Sequence, residues 1–294
     1  MTMCKYLLCR PRGGLNDTLC QIEVCWSYCE KYNRVLIIDT TRSGLRVNFS
    51  ELFENNTRLN YEFKLSDEIF EKIKNLNCQI TEIDNKLMDY KVEYSKENNF
   101  VTKDTKVRVS FDFEKNYDED LLVFEQCGGG TKSIDLLSKL KLSSELRGKF
   151  TEFIISENYE SIHVRNTDYQ TDYKKLFESL REPLKNKLVL ICSDDLEVIE
   201  SAKIILNEST IISKTSNDFV EKGIPLHSPY QKLTKEQEKL LAENSIIDLL
   251  LLANSSKINY SNLSGYSFNK LSGFTKLALL LNQNRELLKK LFKN

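Results

Sequence analysis

The sequence has little of what builds flexible linkers, zinc centres or membrane spans. It contains 4 prolines and 10 glycines among 294 residues, which leaves little room for low-complexity linkers. Its 2 histidines, His163 and His227, are too few for the usual Cys and His ligand sets, so no metal site is expected. The longest apolar run, Ile246 to Ala253, is interrupted by Asp248 and is far shorter than the ~20 residues of a membrane-spanning helix.

An excess of charge of one sign is also absent. Lys and Arg number 42 against 43 Asp and Glu, a formal net charge of -1, which argues against a protein that coats nucleic acid through its overall field. The first ten residues hold too few apolar positions for a signal peptide. We therefore expect a cytoplasmic protein, at most at the inner face of the membrane, whose 8 cysteines stay reduced.

Short apolar strands alternate with helical segments in two series. The first series contains strands at 5–9, 35–38 and 121–124, and a helix that begins at Asp17 or Thr18. The second contains strands at 161–164, 188–192, 210–212 and 257–259. Such units build parallel sheets. We predict an α/β fold of two Rossmann-like domains, 1–150 and 151–294, that face a cleft.

Two segments fall outside these series. The stretch 55–118 gives no clear elements. A basic amphipathic helix at 284–293 is expected to pack on the core, with peripheral membrane contact as the alternative.

Polar clusters follow the strands of the second series, where ligands bind in open α/β sheets. In the first cluster, Arg165 offers a planar fork of donors suited to a phosphate, and Asp168 can hold that fork. The alternative is a surface ion pair of little energetic weight. In the second cluster, Asp194 and Asp195 cap the next helix, bind hydroxyls of a sugar or nucleotide, or bind the guanidinium of Arg165.

Two further features lie later in the chain. The Ser-rich turn that includes residues 264–267 is either an anion site at a helix start or an ordinary helix start. Asp248 lies within an apolar helical run, and a carboxylate in such surroundings is costly unless it is paired. We predict that its partner is Arg165.

The order of these motifs resembles a known superfamily. The run Ile162-His163-Val164-Arg165-Asn166-Thr167-Asp168 is similar to the His-Val-Arg-Arg-x-Asp signature of the α1,6-, α1,2- and protein O-fucosyltransferases. The α1,6 branch, which includes the nodulation enzymes, also has an apolar strand followed by Thr-Asp-Asp, as at 189–195. Its Asp-containing helix and Ser-rich turn resemble 247–267, and its Gly-Gly-Leu-Gly-Asn/Asp loop resembles 13–17.

The resemblance implies a GT-B fold and an inverting, metal-independent glycosyl transfer, typically from GDP-fucose. By analogy Arg165 would stabilise the departing diphosphate, Asp195 would help to hold the guanine or ribose, and Asp248 would orient Arg165. The remaining residues implied to bind the donor are His163, Asp168, Asp194, Ser264, Gly265, Tyr266, Ser267, Gly13, Gly14 and Asn16.

The chain departs from the family pattern at three positions. Asn166 replaces the second arginine and removes a positive charge beside the leaving group. The family's glutamate a few residues later corresponds to Tyr173, so the neighbouring Asp172 is the candidate general base. Asn16 replaces a glycine of the first loop, and asparagine tolerates left-handed backbone angles better than most residues.

The expected function is therefore transfer of a sugar, fucose from GDP-fucose in the first instance, to a saccharide or lipid-linked saccharide in polysaccharide biosynthesis. The N-terminal domain would bind the acceptor and the C-terminal domain the nucleotide sugar. No cofactor and no nucleic-acid partner are expected. A catalytically silent nucleotide-sugar-binding module and a transferase with another donor are the alternatives.

Overall fold

The computed structural model describes residues 4–55, 61–79, 84–87, 91–95, 97, 99–108, 111–169, 171–228, 230–263 and 271–292. The chain divides into two units, Met1–Ser143 and Ser144–Asn294. The division lies slightly before the predicted boundary at 150, because the helix Ser144–Phe153 belongs wholly to the second unit. Its residue Phe150 is buried there and stacks on Phe292, with ring centroids 4.6 Å apart.

The first unit is a mixed α/β layer structure. Its elements are β1 (Tyr6–Cys9), α1 (Leu15–Tyr32), β2 (Val35–Ile38), α2 (Phe49–Leu52), β3 (Phe53–Asn55), α3 (Asp67–Ile73), β4 (Asn77–Gln79), β5 (Asp84–Lys86), β6 (Val92–Ser95), β7 (Asn99–Thr102), β8 (Leu121–Phe124), α4 (Ser133–Lys139) and β9 (Leu140–Leu142). The main sheet has the order β2–β1–β8–β4–β5, in which β1 lies parallel to both β2 and β8. Apart from the partly buried Tyr6 and Val35, the residues of β1, β2 and β8 are fully or almost fully buried, as continuous apolar strands of a parallel sheet should be.

Helix α1 begins earlier than the sequence suggests. Its N-cap is Gly14 rather than Asp17 or Thr18, and the Thr18 backbone N–H donates to the Gly14 carbonyl at 2.9 Å. Leu15 is 7% exposed and Asn16 is 5% exposed. Burial of these two residues extends the helix by a turn beyond the position where polar capping residues would begin it.

The second unit has a sheet in which all strands are parallel. Its elements are α5 (Ser144–Phe153), β10 (Glu160–Val164), α6 (Tyr173–Leu180), β11 (Leu188–Ser193), α7 (Leu196–Ile205), β12 (Thr210–Ile212), α8 (Lys235–Asn254), β13 (Ile258–Tyr260), α9 (Gly273–Gln283) and α10 (Arg285–Phe292). The strand order is β12–β11–β10–β13, so β10 and β11 are central. The predicted strands are therefore present, each within a residue of its expected bounds.

Helix α10 packs on this unit, as expected from its apolar stripe. Leu287, Leu288 and Leu291 are buried. Arg285 donates from Nη1 to the Ala253 carbonyl at 2.9 Å, which ties the start of α10 to the end of α8. Throughout the described ranges, no helix combines the length and the apolar character needed to cross a membrane.

Candidate functional site

Arg165 leaves the carboxyl end of the central strand β10 and forms a fork with Asp168. Its Nε and Nη2 donate to the two carboxylate oxygens of Asp168, each at 2.7 Å. The side chains are 22% and 26% exposed, and the guanidinium carbon lies 5.5 Å from the centre of the Tyr169 ring. Burial disfavours the charge of Arg165, but hydrogen bonding to Asp168 and the charges of Asp168 and Asp194 outweigh it, so its pKa lies above the ordinary value. The guanidinium is therefore a fixed cation.

The loop that carries Arg165 is fastened to the end of β11 by two carboxylates. Asp194 accepts hydrogen bonds from the Asn166 backbone N–H at 2.7 Å and from the Thr167 hydroxyl at 2.6 Å. Asp195 accepts from the Asn166 amide at 2.8 Å and, at its other oxygen, from the Glu197 backbone N–H at 2.9 Å, which caps α7. Of the alternatives for this acidic pair, capping is observed for Asp195. Burial raises the pKa of Asp194 despite these donors.

His163 is buried within β10 and contacts the start of α9. Its Nδ1 lies 2.8 Å from the Thr275 hydroxyl at the start of α9, and its ring stacks on Phe274 with centroids 5.1 Å apart. Burial and the nearby charge of Arg165 lower its pKa to about 3. His163 is therefore neutral at physiological pH. It ties the central strand to α9 and does not supply a proton from a charged imidazole.

Asp248 does not pair with Arg165, contrary to the sequence-based prediction. Its Oδ1 accepts from the Thr215 hydroxyl at 2.8 Å, and it also interacts with the thiol of Cys192. Burial raises the pKa of Asp248 to about 7, since these two neutral donors offset the desolvation only in part. The acid that holds Arg165 is Asp168, three residues away along the chain.

A pocket lies beside Asp248 at the carboxyl ends of β11 and β12. It is a shallow depression with room for little more than a water molecule. Its lining includes Asp194, Leu196, Ile199, Ser213, Thr215 and Asp248. Polar oxygens and aliphatic side chains thus meet in one depression beside the loop that carries Arg165.

Asp172, the candidate general base, lies at the start of α6. It is exposed, and its Oδ1 accepts from the Lys175 backbone N–H at 3.4 Å as an N-cap. Its proposed catalytic role stays a prediction. Ser264, Gly265, Tyr266 and Ser267 lie outside the described residues, so their predicted contact with a diphosphate stays a prediction as well.

The glycine loop of the first unit is shaped by close backbone approach. Gly13 has a φ of 96°, and a side chain at this position would clash with the carboxylate of Asp17. The Gly13 carbonyl accepts from the Gly44 backbone N–H at 2.8 Å, and Gly14 begins α1. The predicted residues Gly13 and Gly14 thus form a tight turn at the carboxyl end of β1.

Asn16 points into the protein from the same loop. Its Nδ2 donates to the Gly130 carbonyl at 3.2 Å, and its Oδ1 accepts from the Ser133 hydroxyl at 2.7 Å. It is 5% exposed. Asn16 therefore joins α1 to the glycine turn before α4. Its predicted contact with the donor stays a prediction.

The structure also places charged residues at this edge that the sequence analysis did not select. Arg10 follows β1 and pairs with Asp39 after β2 at 3.1 Å, both almost fully buried. Arg12 donates from Nε at 2.8 Å, and also from Nη2, to Glu125, which directly follows β8. Arg10, Asp39 and Glu125 each directly follow an apolar strand. This is the same sequence pattern that selected Arg165.

The fold of this chain also occurs in solved proteins. No protein-family model matches the chain, and no curated protein matches its sequence. The structure is similar to NodZ α1,6-fucosyltransferase soaked with GDP-fucose, with 16% identity, a TM-score of 0.56, and coverage of 95% of this chain and 92% of that chain. The fold is that of solved fucosyltransferases. POFUT1 in complex with GDP is 11% identical, with a TM-score of 0.53 and coverage of 95% of this chain and 94% of that chain. A FUT1 mutant from Arabidopsis thaliana in complex with GDP is 14% identical, with a TM-score of 0.51 and coverage of 95% of this chain and 69% of that chain. The predicted α/β, GT-B class with two Rossmann-like domains is confirmed.

Proposed function

We propose that this protein is an inverting glycosyltransferase that moves a sugar, fucose from GDP-fucose in the first instance, to a saccharide acceptor. The observation that carries the proposal is the Arg165–Asp168 fork at the carboxyl end of the central strand. A guanidinium has five N–H donors. Two are used by Asp168, and within the described part of the chain no hydrogen bond takes up the others. These donors suit a phosphate.

The chemistry proposed for Arg165 is stabilisation of the leaving group. When the acceptor hydroxyl attacks the anomeric carbon, the bond to the β-phosphate oxygen breaks and negative charge grows on the nucleoside diphosphate. A cation already fixed by Asp168 needs no reorganisation as that charge appears. Attack opposite the departing diphosphate inverts the anomeric carbon. Asp168 acts as a positioning residue, and neutral His163 supports the strand beneath.

The pocket beside Asp248 is proposed to receive the nucleotide base. Asp194 and Asp248 line this pocket, and their oxygens, which accept from the Asn166 N–H and from the Thr167 and Thr215 hydroxyls, have further lone pairs. The guanine edge, which presents adjacent N–H donors, complements such acceptors. The neighbours crystallised with GDP or soaked with GDP-fucose support a guanosine nucleotide as the first candidate.

The remaining parts of the proposal concern the acceptor and the cofactor. Asp172 is the candidate base for the acceptor hydroxyl, and no metal or other cofactor is proposed to take part. The acceptor is proposed to be a saccharide or lipid-linked saccharide. Addition of EDTA to the transfer assay tests the metal-independent mechanism, since a loss of turnover that Mg²⁺ or Mn²⁺ restores would contradict it.

The deciding experiment is a donor panel followed by turnover of the donor that binds. A nucleotide sugar at 100 times its Kd should stabilise the protein by about 2.7 kcal/mol, a shift that thermal unfolding detects. With all donors at one fixed concentration, GDP-fucose is expected to give the largest shift. Hydrolysis or transfer by wild type and by Arg165→Ala then tests the leaving-group role, and equal turnover by the two proteins would refute it.

A second candidate function rests on the charge of the same site. Asn166 stands where the resembling family has a second arginine, and its side-chain amide donates to Asp195 instead of presenting a cation. Arg165, in the same loop, is already paired with Asp168. These contacts favour a catalytically silent nucleotide-sugar-binding module. Binding of GDP-fucose without hydrolysis or transfer over a broad acceptor panel would select this function.

A further inference from the structure

Glu125 lies at the carboxyl edge of the first unit's sheet. One of its two carboxylate oxygens accepts hydrogen bonds from the described residues and the other accepts none. The residue is fully buried, and Arg12 donates to its Oε1 from two nitrogens. Its Oε2 is buried and has no hydrogen-bond partner among the described residues. A buried carboxylate oxygen without a donor costs free energy, so a donor group that reached this atom would be bound favourably.

The neighbour of this oxygen is an exposed cation. Arg42 Nη1 lies 3.9 Å from Glu125 Oε2, too far for a hydrogen bond, and the Arg42 side chain is 46% exposed. A hydroxyl group can accept from a guanidinium and donate to a carboxylate at the same time. Because Oε2 is buried, the Arg42 side chain has to move aside before a hydroxyl can lie about 2.8 Å from both atoms.

An aromatic surface adjoins the charged pair. The β6–β7 hairpin is fastened beside Glu125 by Asn99, whose Nδ2 donates to the Cys127 carbonyl at 2.7 Å. Phe100 of this hairpin lies under Arg12, with 5.1 Å from its ring centre to the guanidinium carbon. Tyr94 faces Phe100 across the hairpin with centroids 5.7 Å apart, and it is 62% exposed.

We propose that Glu125, Arg42 and Tyr94 form a saccharide-binding surface on the first unit. Glu125 and Arg42 bind a sugar hydroxyl between them, and the Tyr94 ring packs against the apolar C–H face of a neighbouring sugar. The assignment of that sugar as the acceptor rests on the proposed glycosyltransferase function, whereas the binding of a saccharide does not.

The proton that Glu125 Oε2 needs separates a neutral sugar from an anion. Arg12 and Arg42 together outweigh the single charge of Glu125, but a phosphate between Arg42 and Glu125 would lie directly against the carboxylate. A phosphate ionised at neutral pH also lacks the proton that Glu125 Oε2 needs. We therefore expect neutral glycans to bind in preference to phosphorylated or carboxylated ones.

The test is binding of the full-length protein, without nucleotide, to an array of neutral and acidic glycans. Arg42→Gln and Tyr94→Ala change exposed side chains, and Glu125→Gln keeps the shape of the buried one. Each is expected to weaken the preferred neutral glycan about tenfold, the effect of one lost hydrogen bond or stacking contact. Arg181→Gln and Ile204→Ala, at exposed positions of the second unit, are the matched controls and should bind like wild type. Thermal unfolding of each variant establishes that it is folded.

Three outcomes would overturn the proposal. They are no glycan bound by wild type, unchanged binding by the folded Arg42→Gln and Tyr94→Ala variants, or a preference for acidic glycans that Glu125→Gln strengthens. The thermal shift with GDP is measured on the same samples. A missing GDP shift beside intact glycan binding would count against the proposed function alone, so the two failures are distinguishable.

Discussion

Arg165 and Asp168 form two hydrogen bonds of 2.7 Å between adjacent nitrogens of one side chain and both oxygens of the other. This geometry requires a planar guanidinium. We expect Arg165→Ala to lower kcat for transfer by roughly 10²–10³-fold, the effect of losing one preorganised donor to developing charge. Arg165→Lys should restore little, because an ammonium cannot form the fork. The measurement is steady-state turnover at saturating donor.

The role of Asp168 in this pair is separable from that of Arg165. Asp168→Asn keeps the shape but removes the charge, so it should reduce kcat by only about tenfold, with Arg165 still present. Arg181→Ala, at an exposed arginine after α6, is the matched control and should be fully active. Wild-type turnover by Arg165→Lys would show that a point charge is enough and that the fork is structural.

Asp172 has two possible roles that one substitution distinguishes. As the N-cap of α6 it accepts from the Lys175 backbone N–H, and asparagine caps helices about as well as aspartate. Asp172→Asn should therefore leave the melting temperature unchanged while lowering kcat by about 10²-fold, within the range for loss of a general base. If kcat is also unchanged, Asp172 serves only as a helix cap.

Asp248 should make the stability of the second unit depend on pH near neutrality. Its pKa is raised from 3.8 to about 7 in the folded protein, so between pH 4 and 7 the folded state holds a proton that the unfolded state has lost. The contribution of Asp248 to the free energy of unfolding is therefore greatest at low pH. It falls as the pH rises to 7, by no more than about 1.4 kcal/mol per pH unit.

The variant Asp248→Asn removes this titration and keeps an acceptor for Thr215. Its melting temperature relative to wild type, followed by circular dichroism, should rise between pH 5.5 and 7 and then level off above pH 7.5. A difference that stays constant over this range would show that the carboxylate is ionised throughout and that its burial is compensated.

His163 should contribute the opposite slope at lower pH. Its pKa falls from 6.5 to about 3 on folding, so the unfolded state binds the proton first and stability from this group is lost as pH falls below 6.5. In wild type this loss opposes the gain from Asp248, so Asp248→Asn should be more sensitive to acid. The ring resonances of His163 should not shift between pH 5.5 and 8 in an NMR titration.

The charge of Arg165 contributes to the lowered pKa of His163. Arg165→Ala should therefore raise the pKa of His163, and an unchanged value would show burial to be the sole cause.

The second unit could be predicted from sequence more fully than the first. Strand β11 is an apolar run that is buried from Val189 to Cys192, its neighbour β10 is buried from Ser161 to Val164, and each is followed by polar residues. The stretch 55–118 gave no clear elements because it forms short pieces, including the antiparallel hairpin β6–β7 whose strands mix polar and apolar residues. Such strands depend on cross-strand pairing, which a single segment does not reveal.

The contacts of the candidate site were predicted only where they are local. The Arg165–Asp168 contact follows from a separation of three residues within one loop. The predicted Asp248–Arg165 contact was wrong because the direction in which Asp248 leaves α8 depends on how that helix packs, and the packing brings it to Thr215 and Cys192. Glu125 was missed because its partner Arg12 lies more than 100 residues earlier in the chain.

Asn16 and Ser133 provide a test of long-range coupling in the first unit. The Ser133 hydroxyl is fully buried and donates to Asn16 Oδ1 at 2.7 Å. Asn16→Ala removes this bond and the bond to the Gly130 carbonyl, and it should lower the free energy of unfolding by about 2–3 kcal/mol. Ser133→Ala should cost about 1 kcal/mol.

The single tryptophan, Trp26, is fully buried in α1, so its fluorescence during urea unfolding reports on this unit. Because Asn16→Ala leaves the buried Ser133 hydroxyl without its acceptor, the double variant should lose less stability than the sum of the two single losses, by about 0.5–1 kcal/mol. Replacing Asn16 by glycine, the residue at this position in the resembling loop, should cost up to ~1 kcal/mol more than alanine, since glycine weakens the first turn of α1. Strictly additive losses would mean that the two side chains do not support each other in solution.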